Sequence, residues 1–245
     1  MNDISRHLPF SQSGGADETG VTGDWRPLTA STLDVVADLL EGLEPAEWES
    51  PSRCEGWRVR DVAGHLVWRL GSSVTQLATS SARAVFRERI PPSRVVDELS
   101  RRAARSTPEE LVASIRSLAR ERVTASESGQ GRGRGRGHLA ELTEAVVHGY
   151  DISHALGLPL TVPAVASGAV AVARSLHAPS TVKPIVTRRT LRATDADWTV
   201  GRGEAIAAPA ATIILFLFGR IALDADDARA APPGVGPAPA APPTG

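Results

Sequence analysis

Cysteine is nearly absent: Cys54 is the only one in 245 residues. A disulfide framework within the chain is therefore excluded, and so is a zinc site built from several thiolates. Lysine is equally rare, with Lys183 alone among 27 basic residues. That bias matches a GC-rich genome and carries no message about arginine chemistry. Excess charge of either sign is missing too. The formal net charge is -1, so no global field draws in nucleic acid or an anionic membrane. Long hydrophobic runs are lacking. The longest, residues 205–218, is interrupted by Pro209 and is too short to span a bilayer. The opening MNDISRHLPF has no apolar stretch after a basic start, so no signal peptide is evident and the cytoplasm is the expected compartment. The hydrophobic content of 42% suffices for proper cores, in one large domain or two small ones.

Residues 1–24 are polar and glycine-rich without hydrophobic period, and read as a disordered leader. Residues 229–245 form a proline-alanine tail with nothing to build a core from. Between them helical patterns dominate. Thr29 to Leu43 carries Leu33, Val36, Leu39, Leu40 and Leu43 on one helix face, and Pro45 ends it. Val59 to Ala78 repeats the pattern, and Ser93 to Arg102 is a weaker piece. Thr107-Pro-Glu-Glu opens a helix running to about Val123, with a cap, an early proline and early acids. The segment GQGRGRGRG, residues 129–137, breaks the pattern as a flexible loop. It is too short, and too poor in aromatics, for a typical RNA-binding tract. A further helix spans His138 to Leu156 and stops at Gly157. After Pro159 come a small-residue helix from Pro163 to His177, two short strands around the turn Asp195-Ala-Asp197, and an apolar helix from Pro209 to Leu223. This order predicts a mostly α chain: an up-and-down four-helix bundle over residues 25–158, then a small α+β domain over residues 159–228.

Glu144 and His148 stand four apart in the helix after the loop, so both lie on one face. Taken alone, such a pair is common on solvated helices. Here the intervening and flanking residues are Leu142, Ala145, Val146, Val147 and Ile152, so the helix is apolar over most of its circumference and reads as buried. A glutamate on a buried helix needs a cation or another partner. Asp151 follows His148 by three and is placed to fix its tautomer. His65, on another apolar helix, is the best third ligand, although a lone core histidine there is an ordinary packing residue. Two histidines and one carboxylate would leave coordination open, as in catalytic rather than structural sites. Zinc fits best, with iron, nickel or manganese compatible. His7, His138, His154 and His177 do not share that face. Cys54 reads as a small buried turn residue. Trp48, Trp57, Trp68 and Trp198 read as packing residues, and Arg60 and Arg69 as residues of solvated faces.

The run WESPSRCEGWRVRDVAGHL, residues 48–66, resembles the first signature of mycothiol-dependent maleylpyruvate isomerase-like proteins. The run EAVVHGYDISHALGLP, residues 144–159, is similar to the second. With ATDADWTVG and AATIILFLFGR, the resemblance covers roughly residues 26–225. It implies a DinB-like four-helix bundle that binds a divalent metal, usually zinc, with ligands at His65, Glu144 and His148. It implies a small C-terminal α+β domain beside the site, and an arginine from that domain required for activity, matched here by Arg220. The implied chemistry is thiol activation. Mycothiol, as thiolate, adds to a small electrophile, giving isomerisation of a cis double bond or transfer of the thiol. The implied partners are thus mycothiol and a small electrophile, with no nucleic acid and no membrane. Monomer and homodimer both remain open, as does a non-catalytic metal-binding regulatory or partner-binding module. Two departures stand out. Arg58 replaces the small hydroxyl residue that usually caps the His65 helix, so that cap is expected to be missing. The Gly-Arg loop is unusual, and it places the isomerase substrate in question more than the metal.

Overall fold

The computed structural model describes residues 24–129 and 135–223. The leader before residue 24, the proline-alanine tail and the centre of the Gly-Arg loop lie outside the described residues. The fold is mostly helical with a small C-terminal sheet. Helix α1 (Arg26–Glu41) begins with Pro27 in its first turn and buries Leu33, Val36, Ala37 and Leu40. A single turn, α2 (Pro45–Trp48), buries Trp48 and leads to α3 (Val59–Gly71).

The expected cap is absent from the side chain of Arg58, but the helix start is not bare. The Asp61 carboxylate accepts from the Arg58 backbone N–H at 3.0 Å and from the Arg58 guanidinium. The single helix expected over residues 59–78 is two helices. Its apolar spacing runs on, but Ser72 is extended, and Ser73 caps a new helix, α4 (Val74–Phe86), by accepting from Gln76 N–H. A capping serine competes with helix continuation, and here it prevails.

After a short 3-10 turn come α5 (Val95–Ala103) and α6 (Pro108–Glu127), the latter opened by Thr107 and Glu110 capping each other. Helix α7 (Gly135–Leu156) starts three residues before the sequence pattern suggests. Four helices make the bundle. α1 packs against α6 and α7, and α3 packs against the same two, so α1 and α3 lie across from each other. α5 lies along α3 on the outside.

Helix α7 is apolar nearly all round because it serves two cores. Ala145 and Ile152 face the bundle, with Leu33, Leu40, Leu66, Leu111 and Ile115. Leu142, Val146, Val147 and Tyr150 face the C-terminal elements. These are α8 (Ala164–Leu176), the turn α9 (Lys183–Val186), β1 (Arg189–Ala193), β2 (Thr199–Gly201), β3 (Glu204–Ala208) and α10 (Ala210–Leu217). The strand order is β2-β1-β3, with β1 antiparallel to β2 (Leu191 opposite Val200) and parallel to β3 (Leu191 opposite Ile206).

The hairpin around Asp195-Ala-Asp197 matches its pattern, whereas β3 has no counterpart in the sequence reading, which took its alanines into an apolar run. Between β2 and β3 the chain crosses the start of β1. Gly201 and Gly203 adopt φ of +89° and +108°, and a Cβ on either would lie 2.3 Å and 2.2 Å from carbonyl oxygens of Arg189 and Arg188. Only glycine fits there. The last helix ends at Leu217, shorter than expected, and Gly219 at φ +72° turns the chain so that Arg220 points back toward α7. Among the described residues no helix is long and apolar enough to cross a membrane.

Candidate metal centre

His65 is set by a close approach of two helices. A Cβ at Gly64 would lie 2.5 Å from Ala104 N and 2.7 Å from Ser100 O, so glycine lets α5 press onto α3. Ser100 then reaches the imidazole, with its Oγ 3.0 Å from His65 Nδ1. Ser100 Oγ donates its own proton to Val96 O at 2.6 Å. It can therefore only accept from the ring, which places hydrogen on Nδ1 and leaves the Nε2 lone pair facing inward. The rings of Trp57 and Trp68 flank His65 at 5.1 Å and 5.9 Å between centroids, so these packing tryptophans wall the site.

Helix α7 supplies the opposite side. Glu144 Oε2 is 3.3 Å from His65 Nε2 and 3.2 Å from His148 Nε2. The other nitrogen of His148, Nδ1, donates to Asp151 Oδ2 at 2.9 Å. The second imidazole is thus also held with Nε2 turned inward, by the carboxylate expected for that role. Asp151 is fully buried and fully used. Its Oδ2 also accepts from Cys54 Sγ at 3.0 Å, and its Oδ1 accepts from Arg220 Nε at 3.2 Å. Cys54 is carried there by a turn in which Trp57 N–H donates to Cys54 O and Ser52 Oγ accepts from Cys54 N–H. The neighbouring Arg53 N–H donates to Asp151 O at 3.0 Å, tying the turn to α7.

The charges follow from these contacts. Burial disfavours an ionised Glu144, but its close contacts with the His148 and His65 imidazoles outweigh it and hold the carboxyl well below its usual range. The same contest, with His148 the main partner, keeps Asp151 ionised. Burial lowers the pKa of His65. Burial acts the same way on His148 but loses to Asp151, Cys54 and Glu144, which raise its pKa and favour the protonated ring. The site therefore keeps two carboxylates ionised, with the positive charge of a protonated His148 between them.

His65 Nε2, Glu144 Oε2 and His148 Nε2 all lie within 4.8 Å of one another. The two measured edges, 3.2 and 3.3 Å, fit the roughly 3.3 Å between neighbouring N and O ligands of a tetrahedral zinc ion. The donor set, the two inward Nε2 atoms and the oriented second nitrogens all fit such an ion. A second grouping, Cys54, His148 and Asp151, also brings three donor atoms together. Its edges of 2.9 and 3.0 Å are hydrogen-bond lengths, and Asp151 is already saturated, so it reads as support for the first.

The structure thus brings together the three residues singled out by spacing, with Asp151 behind them. Arg220 meets the site through Asp151, donating to its Oδ1. His154 accepts from Arg53 Nε at 3.0 Å, His138 Nδ1 lies 3.7 Å from Asp24, and His177 is exposed, all three away from the cluster. His7 lies outside the described residues. Cys54 is buried as expected but also touches the site, a role the sequence reading did not give it. Arg69, expected on a solvated face, reaches Glu144 Oε1 at 3.4 Å. Its position four residues after His65 was the available signal. Ser100 had none.

The sequence model described as "Mycothiol maleylpyruvate isomerase N-terminal domain" matches residues 30–153. The chain belongs to this family. His65, Glu144, His148 and Asp151 fall inside the matched segment, and Arg220 falls beyond it. Among solved structures, the chain is similar to the crystal structure of a mycothiol-dependent maleylpyruvate isomerase, with TM-score 0.53 and 15% identity over 80% of this chain and 88% of that one. A histidine-to-alanine mutant of such an isomerase matches over the same shares at TM-score 0.51 and 15% identity. At that identity the likeness speaks for the fold. None of the curated proteins compared matches the chain.

Proposed function

We propose that this protein is a mycothiol-dependent metalloenzyme in which His65 Nε2, Glu144 Oε2 and His148 Nε2 hold one divalent ion, zinc by donor type. The observation that carries the reading is the convergence of these three atoms, each imidazole oriented by its own partner, Ser100 or Asp151. When bound, such an ion lowers the pKa of a coordinated thiol and presents it as thiolate.

The chain's own residues do the rest. Ser100 and Asp151 hold the ligand tautomers. Asp151 leans on Arg220 and Cys54, and so keeps a buried negative charge without taking a proton. Trp57 and Trp68 exclude water from the His65 side. The thiolate of mycothiol adds to the electrophilic carbon of a small substrate. For a cis double bond conjugated to a carbonyl, as in maleylpyruvate, rotation of the adduct about the new single bond and expulsion of the thiol give the trans isomer. With another electrophile the same addition ends as thiol transfer.

The test is metal analysis joined to turnover. Purified protein should hold about one divalent ion per chain and consume mycothiol with an electrophile or isomerise maleylpyruvate. His148→Ala should lose both ion and activity. Full thiol-dependent activity in a folded, metal-free sample would overturn the reading. An ion without any turnover would leave a metal-stabilised binding module.

A further inference from the structure

We infer that Arg69 is the specificity-determining residue of this site, binding a carboxylate of the electrophile at its solvent side. The inference rests on the enzymatic reading above. Arg69 follows His65 by four residues on α3, so it shares the face turned toward α7. Its Nε is 3.4 Å from Glu144 Oε1, the carboxylate oxygen that faces away from the two histidines. Its side chain is 38% exposed against 25% for Glu144, so the guanidinium stands outside the carboxylate.

The contact does not exhaust the residue. At 3.4 Å through one nitrogen it is longer than a good charge-assisted bond, and among the described residues no hydrogen bond to the Arg69 guanidinium is found. Other arginines packed on the bundle are tied down. Arg60 donates to Glu49, to Ala104 O and to Ser106 O, and Arg122 donates to Glu141 and to Leu70 O. Arg69 keeps its planar fork of donors free beside the candidate metal ligands, and a carboxylate is the group that such a fork matches.

Charge points the same way. The carboxylates of Glu144 and Asp151 are balanced by the guanidiniums of Arg69 and Arg220. A bound dication then leaves two positive charges in excess, which a thiolate and a substrate carboxylate would neutralise. Arg69 contacts Glu144, the partner of His148 Nε2, and Arg220 contacts Asp151, the partner of His148 Nδ1. The ligand group expected at Arg69 is thus a single carboxylate of the electrophile.

The test uses the full chain loaded with zinc and maleate as the probe, with binding followed by calorimetry and zinc content measured in the same samples. Arg69→Gln keeps most of the stem, and Arg69→Lys keeps the charge. Maleate affinity should fall about tenfold or more in Arg69→Gln and recover in part in Arg69→Lys, with zinc content unchanged. Equal maleate affinity in wild type and Arg69→Gln overturns the inference, as does absence of maleate binding to wild type. Loss of zinc in step with maleate also overturns it, because Arg69 would then act by positioning Glu144. Consumption of mycothiol with the uncharged, slowly reacting electrophile acrylamide, above the protein-free rate, is measured separately on wild type. Its absence would count against the enzymatic reading and would leave the maleate result standing.

Discussion

Cys54 and Asp151 meet across 3.0 Å, the thiol donating to a carboxylate that also holds His148 and Arg220. One buried carboxylate thereby joins the turn before α3, the helix α7 and the segment after α10. Its role in the site depends on its charge as well as its shape. Asp151→Asn keeps the shape and loses the charge. An asparagine amide oxygen is a weaker acceptor for His148 Nδ1–H, and its amide nitrogen is a donor with no acceptor left to meet. Metal affinity should fall about 10- to 100-fold, as for other partners behind a ligating histidine. Competition with a chelator measures it. Cys54→Ser, which keeps a donor, should perturb the affinity less than Cys54→Ala.

Gly64 offers a test of how the His65 side is built. In Gly64→Ala the new methyl would meet the α5 backbone at 2.5 Å, and backbone cannot rotate away. α5 must shift, and Ser100 with it. Overpacking of this kind costs about 1–3 kcal/mol, read from denaturant midpoints. The variant should also bind metal less tightly than wild type, because His65 loses its partner. Gly71→Ala, at the end of the same helix, has only the Leu118 Cδ2 methyl near its Cβ, at 3.6 Å, and is the control.

These two sites show what the sequence could and could not disclose. Glu144, His148 and Asp151 lie within eight residues of one helix, and helix geometry alone puts them on one face. His65 needed only a second apolar helix to be placed opposite. Cys54 and Ser100 reach the cluster from a turn and from an outer helix whose periodicity does not tell what it packs against, whereas Arg220, implied by the resemblance, reaches Asp151 from a glycine-reversed chain end. β3 escaped because alanine neither alternates nor branches, and its pairing with β1 depends on a crossing at Gly201 and Gly203. The break at Ser72 escaped because the apolar spacing continues across it while the capping serine ends the hydrogen bonding.

Asp61 gives a pH signature away from the ligands. It is buried, and burial would raise its pKa, yet the Arg58 side chain and backbone N–H outweigh burial and lower it. A depressed folded-state pKa means that its contribution is fully present above the unfolded value of about 3.9 and is lost as pH falls through the folded value. Asp61→Asn should therefore be less stable than wild type at pH 7, by an amount near the 1 kcal/mol typical of a helix-start contact. The gap should begin to narrow as pH falls below about 4. Urea unfolding at pH 7 and pH 3.5 reads both. A gap that stays constant across that range would mean that Asp61 acts through shape rather than charge.

The crossing at Gly203 predicts a strain effect confined to the C-terminal sheet. In Gly203→Ala the Cβ would come within 2.2 Å of Arg188 O, and the backbone stays at φ +108°. Both penalties act on the folded state, since neither the contact nor the dihedral persists in an unfolded chain. A residue forced into a rarely populated backbone region costs of order 1–3 kcal/mol, and the collision adds to that. The strand pair β1–β3 should open first, because it depends on this passage for its register. Hydrogen exchange should accelerate at the backbone N–H groups of β1 and β3, with α1 and α6 unchanged. Loss of protection spread evenly over the bundle helices would show instead that the two cores on either side of α7 unfold as one unit.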